Sequence, residues 1–307
     1  MKELTREEML LVLDERELPK QAEDLLQVCD FRYHVMEGPR REMLVNFIMD
    51  RIGKDRQQIG APARTADWEN GWAAQLSECI ERGFVDESLI PKFIHNGQPM
   101  RVLGEYVETT NAMFEADWVK FLRTWFLAKY FSEMDFIWEF GCGTGHNLLA
   151  AARMYPNARC VGLDFSRSAV HLVRQMADRQ NVQIEAAQFD MRRPDENVAM
   201  PENAGVFTFG SVEQLAGDIK PFLEYLAKNK PRVVVHVEPV AHLYDPDSAF
   251  DRLAIQFQQK RGYSPNLIAE LKQMEHWEQA QILKVRRTGV GSLFMEGYNV
   301  IVWQPIS

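Results

Sequence analysis

The chain has 307 residues, 46% of them hydrophobic, which is enough apolar material for a large core in one domain or two smaller ones. Its formal net charge of −9 speaks against a nucleic acid or an anionic membrane as the main partner, because clustered Lys and Arg hold such surfaces. Four scattered cysteines (Cys29, Cys79, Cys142, Cys160) form no C-x-x-C pair, which speaks against a structural zinc or a disulfide framework. The charged N-terminal stretch and the lack of any apolar run of about 18 to 20 residues lead us to expect a soluble, cytoplasmic protein.

Up to about residue 130 apolar residues recur at helical spacing. Examples are Met9, Leu10 and Leu13, then Met43, Leu44, Phe47 and Ile48, then Trp118, Phe121, Leu122, Trp125 and Phe126. This predicts a mostly helical N-terminal region with loops at "GAPARTADWENG" (60–71) and "HNGQP" (95–99). The stripe from Trp118 to Phe126 reads as helix core.

From residue 135 strands alternate with helices. "FIWEF" leads into a helix near His146, "RCVGLD" precedes "SRSAVHLVRQMADRQ", and "VQIEAAQFD" and "AGVFTFG" follow. "DIKPFLEYLAKNK" then precedes "RVVVHVEPV", and two helical segments around 247–261 and 265–279 separate it from "AQILKVRRTG" and "GYNVIVWQP". The order predicts an α/β fold, a doubly wound, mostly parallel seven-stranded sheet with an antiparallel last strand. The expected division is an N-terminal helical region at 1–114, serving as a substrate cap or in dimerisation, and a second domain at 115–307 with a helical insertion at about 245–279.

The first strand-to-helix turn carries E-x-G-x-G-x-G: Glu139, Gly141, Gly143 and Gly145. In an open parallel sheet this turn approaches a ligand most closely. The dinucleotide pattern G-x-G-x-x-G fails because His146 stands at its last position, and no G-x-x-x-x-G-K-[ST] phosphate loop occurs.

Over residues 115–307 the pattern resembles the class I S-adenosylmethionine-dependent methyltransferases. The resemblance implies that Glu139, Gly141, Gly143 and Gly145 lie against the methionine part of the cofactor, with Cys142 a small filler in that loop. Asp164, with Phe165 beside it, matches the acidic position that binds the ribose hydroxyls. Asp190 fits the place that receives the adenine amino group, and Met191 is placed to flank the ring. Phe209, Gly210 and Ser211 fall beside the sulfonium. The implied cofactor is S-adenosylmethionine and the product S-adenosylhomocysteine.

Transfer from a sulfonium is an in-line displacement that needs alignment and a water-poor site, and a hydroxyl acceptor gains from a general base. Strand alternation puts His236 and Glu238 on one face, with His242 in the following loop. The expectation is O-methylation of a hydroxyl on a small polar molecule, a sugar or natural-product intermediate. His236 or His242 would be the base, and Glu238 would orient it or bind the acceptor, with Glu213 a rival for that place. N-methylation of a small amine or amino acid is the alternative, and a catalytically silent binding subunit the second. No metal is assigned, although Glu213, His236 and Glu238 make a conceivable oxygen and imidazole set. The expected partner is a small-molecule methyl acceptor, without nucleic acid or membrane, and a homodimer is compatible with the pattern.

Overall fold

The computed structural model describes residues 1–59, 62–216, 219–263 and 266–306, with the backbone alone at 62 and 63. The expected segments that cross residues 60–61, 217–218 and 264–265 lie outside the described residues at those positions.

The first region is not helical throughout. Strands β1 (Lys2–Glu3), β2 (Arg32–Val35), β3 (Met100–Val102) and β4 (Glu105–Thr109) are interleaved with helices α1 (Arg6–Leu13), α2 (Lys20–Leu25), α3 (Gly38–Lys54), α4 (Pro62–Arg82) and α5 (Asp86–Leu89). These strands are too short for a period of two to show in the sequence. The expected loop at 60–71 is also largely helix. Proline is tolerated in a first helical turn, where its missing N–H has no partner to lose, and Trp72, Gln75 and Cys79 bury one side of α4 despite Gly71.

The rest of the chain gives α6 (Phe114–Tyr130), β5 (Phe136–Phe140), α7 (His146–Met154), β6 (Arg159–Asp164), α8 (Arg167–Gln180), β7 (Ile184–Gln188), β8 (Ala204–Phe209), α9 (Lys220–Asn229) and β9 (Val233–Glu238). These are followed by α10 (Ala249–Arg261), α11 (Leu267–His276), β10 (Ala280–Arg286), β11 (Val290–Gly291) and β12 (Asn299–Pro305). The main sheet runs β10-β12-β9-β8-β5-β6-β7, and β12 is antiparallel to both neighbours, as the strand order predicts. Since the chain leaves β5 toward β6 and later returns to β8 on the other side, the switch point lies between β5 and β8. Ligands of such sheets sit beyond the strand ends at that point.

Alternation along β9 divides the core. Val233, Val235 and Val237 join the α6, α7 and α8 side, whereas Val234 joins Ile301, Trp303 and the apolar faces of α9 and α11. Trp118 and Trp125 are fully buried in the first of these layers, as expected of a core stripe. Of the two helices expected as an insertion, α11 is an ordinary layer helix, with Leu267, Leu271 and Met274 in the second core. Helix α10 instead packs on α3, Phe250 and Leu253 meeting Ile48 and Ile52.

Two fastenings bind the N-terminal region to the main sheet. β11 pairs with β3 and so completes a five-stranded antiparallel sheet, β1-β2-β4-β3-β11. Beside it, buried Arg101 reaches Asp251 at 3.1 Å, and Arg287 reaches Asp251 and Glu296 at 2.6 Å each. Among the described residues no helix is long and apolar enough to cross a membrane.

Candidate active site

Three glycines shape the turn after β5 because each takes a positive φ: 73° at Gly141, 51° at Gly143 and 74° at Gly145. Only glycine adopts this region without strain. A Cβ on Gly141 would lie 2.3 Å from Cβ of Ser211, and one on Gly143 would lie 2.9 Å from the Trp72 ring. Gly145 differs from the expectation. It does not line the cavity but starts α7, where a Cβ would meet Met176 of α8 at 2.8 Å.

Two buried carboxyls stand at the strand ends. The Asp164 carboxylate accepts from the backbone N–H of Gly143 and of Ser166, each at 2.9 Å, so it braces the glycine loop against the start of α8. Burial pushes its pKa up to about 6, against those hydrogen bonds. Glu139 accepts from Asn147 Nδ2 at 2.8 Å through Oε1, while its buried Oε2 has no partner. Burial pushes Glu139 up to about 8. Cys142 is also buried, and its thiol is pushed well above the usual range, which fits a neutral filler and not a nucleophile.

These groups open on one cleft of about 1090 Å³, part of it open to solvent. Glu139, Gly141, Cys142, Gly143, Asp164, Phe165, Asp190, Met191, Phe209 and Gly210 all line it, so ten of the expected cofactor positions come together in space. Asp190 is engaged by Arg192, whose Nε donates at 3.1 Å.

The catalytic expectation needs correction. His236, Glu238 and His242 do not line the cleft. His236 is fully buried within the second core layer, where Trp303 Nε1 donates to its Nε2 at 3.0 Å. Its Nδ1 therefore carries the hydrogen and donates to Thr208 Oγ1 at 2.9 Å, and the Thr208 hydroxyl donates to Glu238 Oε1 at 2.7 Å. Both nitrogens are committed and burial drives the pKa down to about 3, so this imidazole is a structural group and not a base. Burial first, and the neighbouring Glu213 next, push the Glu238 carboxyl well above its ordinary range. His242 is exposed on the 3₁₀ turn Ala241–Leu243. We expect His236→Ala to keep turnover within threefold, with any acceptor found for the parent, while the melting temperature falls. Truncation leaves the buried Trp303 Nε1 unpaired, at about 1–3 kcal/mol, while Thr208 keeps its bond to Glu238.

Several lining residues were not anticipated. Trp68 and Trp72 of α4 stack with centroids 5.6 Å apart, and Phe93 meets Trp68 edge-on at 6.4 Å. Trp68 Nε1 donates to Gln214 Oε1 at 3.1 Å, joining α4 to the turn after β8. Glu69 accepts from the hydroxyls of Ser166 and Ser168 at 2.6 Å each, which pins α4 over the start of α8. The spacing Trp68, Trp72, Gln75 is a helical signal, but Pro62 and Gly71 around it read as loop.

His146 faces the cleft with Asn147. Nη1 of buried Arg123 lies 3.0 Å and 3.2 Å from its ring nitrogens. Burial first, and that cation next, hold the imidazole neutral, well below its ordinary pKa. A neutral imidazole has one acceptor nitrogen, and Arg123 occupies it.

Residues 137–224 match the family model of a methyltransferase domain. No curated protein matches the chain. Among solved structures, an O-methyltransferase of neocarzinostatin biosynthesis, NcsB1, in complex with S-adenosyl-L-homocysteine and 1,4-dihydroxy-2-naphthoic acid, is 12% identical over 62% of this chain and 58% of its own, with a TM-score of 0.41. A SAM-dependent methyltransferase from Aquifex aeolicus is 14% identical over 59% of this chain and 88% of its own, at 0.40. A protein from a study of disulfide conversion to a thioacetal in echinomycin biosynthesis is 14% identical over 74% and 91%, at 0.43. Likeness this remote says nothing about the acceptor. The matched domain, the sheet order and the glycine loop agree with the fold expected of a class I methyltransferase. The chain thus carries a methyltransferase domain at residues 137–224, and such a domain implies S-adenosylmethionine as the cofactor.

Proposed function

We propose that the enzyme methylates a small amphipathic molecule held between α4 and the turn after β8, by alignment and desolvation and without a histidine base. One observation carries this: the cleft that begins at the glycine loop continues into a largely apolar wall of Ile59, Trp68, Trp72, Phe93, Ile94 and Leu215. A fully hydroxylated sugar would leave polar groups unpaired on such a wall, which moves the reading toward a natural-product intermediate with an apolar body.

The residues present fit the cofactor. The orphaned, buried Oε2 of Glu139 suits an ammonium group, and a side chain on Gly141 or Gly143 would strain the turn beside it. Asp164 would take the ribose hydroxyls and Asp190 the adenine amine, with Phe165 and Met191 at the ring. When bound, S-adenosylmethionine supplies a methyl group already activated on a sulfonium. The chain contributes position, a covering pair of tryptophans, and exclusion of water.

The sealed His236 and the occupied acceptor nitrogen of His146 favour an acceptor that arrives as a nucleophile. An ionised oxygen meets this need, and so does the neutral amine of the N-methylation reading. Calorimetry with S-adenosylhomocysteine, using NAD as the control, tests the cofactor assignment. We expect micromolar binding of the first ligand alone, weakened about tenfold by Asp164→Ala, which is 1.4 kcal/mol. Equal binding of NAD, or none of either, would remove it.

A further inference from the structure

At the far end of the acceptor wall from the glycine loop sits a cation that the cofactor does not need. Arg64, in the first turn of α4, lines the cleft with its guanidinium 4.8 Å above the Trp68 ring. Its Nε is buried and has no hydrogen-bond partner, and its one hydrogen bond is a long 3.4 Å contact to Gln57. Among the described residues no carboxylate lies within 4 Å of it. Of the acidic neighbours, Asp55 is paired with Arg261 at 2.8 Å. A second cation, Arg261, stands nearby with Tyr263, to whose hydroxyl it donates at 3.0 Å.

Stacking fixes the plane of the guanidinium and leaves its edge free, and a buried N–H without an acceptor costs free energy until a ligand supplies one. A guanidinium in this state is matched by a carboxylate or phosphate oxygen, which it grips through two parallel hydrogen bonds. The Trp68 and Trp72 faces beside it suit a flat or apolar ring.

We propose that the methyl acceptor is an amphipathic organic anion, its carboxylate or phosphate held by Arg64 and its apolar body against Trp68 and Trp72. This rests on the acceptor reading above and names the chemical class of that acceptor.

The test uses the 307-residue protein saturated with S-adenosylhomocysteine and three probes that share one ring and differ in charge: indole-3-acetate, indole-3-acetamide and tryptamine. By calorimetry, indole-3-acetate should bind at least tenfold more tightly than the amide, with tryptamine weakest. In Arg64→Gln the acetate should fall to within threefold of the amide, while affinity for S-adenosylhomocysteine stays within threefold, which also reports that the variant is folded. Equal binding of the three probes, binding of none, or an acetate preference that survives Arg64→Gln overturns the proposal. So does a loss of S-adenosylhomocysteine affinity in the variant equal to its loss of acetate, since Arg64 would then belong to the cofactor. Failure of the parent to bind S-adenosylhomocysteine at all strikes the underlying reading instead, and the two failures are distinguishable.

Discussion

Gly141→Ala should lower affinity for S-adenosylhomocysteine by about 100-fold or more, with a measurable loss of stability. Two costs act together. A φ of 73° puts an alanine in the left-handed region, at roughly 1–2 kcal/mol. The new Cβ would also lie 2.3 Å from Cβ of Ser211, and Ser211 cannot easily withdraw because its N–H is tied to Glu238 and its hydroxyl to the Phe140 carbonyl. Relief has to come from the loop itself, which displaces the surface meant to touch the cofactor. Overpacking of this kind costs about 1–3 kcal/mol more, and every 1.4 kcal/mol is tenfold in affinity. Gly104→Ala is the control, because Gly104 has a φ of 86° with nothing within 4 Å of the new Cβ. It should cost stability alone. Adding Ser211→Gly to Gly141→Ala should recover part of the lost affinity; no recovery would mean that the collision is not the cause.

The second large effect is on pH. Between about pH 6 and 7.5, affinity for S-adenosylhomocysteine should rise with pH by up to about tenfold per unit, since one pKa unit is 1.36 kcal/mol. In the free protein the Glu139 carboxyl titrates near pH 8 because burial disfavours its charge. An ammonium group at its orphaned oxygen needs the ionised form, so binding below that pH releases a proton. Titrations in buffers of different ionisation enthalpy should detect that release at pH 6.5, and Glu139→Gln should flatten the dependence while weakening binding at pH 7.5. A slope unchanged by this substitution would separate Glu139 from the ligand. The sign for stability is opposite. Glu139 is raised from 4.5 to about 8 and Asp164 from 3.8 to about 6, so the folded free protein holds protons that the unfolded chain has shed. Its stability is therefore greatest below about pH 4 as far as these two groups are concerned, and falls as pH rises toward 8. Thermal protection by S-adenosylhomocysteine should accordingly be larger at pH 7.5 than at pH 6.

Much of this was legible in residue order. Long, fully buried strands such as "AGVFTF" and "VVVHVE", separated by helices with clear apolar faces, admit few arrangements other than a parallel sheet covered on both sides. The N-terminal strands were hidden because runs of two to five residues carry no usable period, and α4 was hidden because Pro62 and Gly71 outweigh a tryptophan stripe in local reading. The histidines misled for a different reason. Alternation placed His236 and Glu238 on one face correctly, but both faces of a central strand are buried. Which face opens on a ligand depends on the layers packed against it, and α9, α11 and Trp303 close the one that holds His236.

Residue order was enough to indicate the sheet, its antiparallel last strand, and the expected cofactor positions at the ends of β5, β6, β7 and β8. Those positions are set by covalent neighbourhood, each lying at or close to the end of a strand whose place in the sheet is fixed. The tertiary structure alone decided which polar groups face the cleft and which are sealed. It joined Trp68 to Gln214 across 146 residues and left Arg64 uncommitted beside an aromatic wall. Such pairings are matters of distance and desolvation between segments remote in the chain, and no local pattern encodes them.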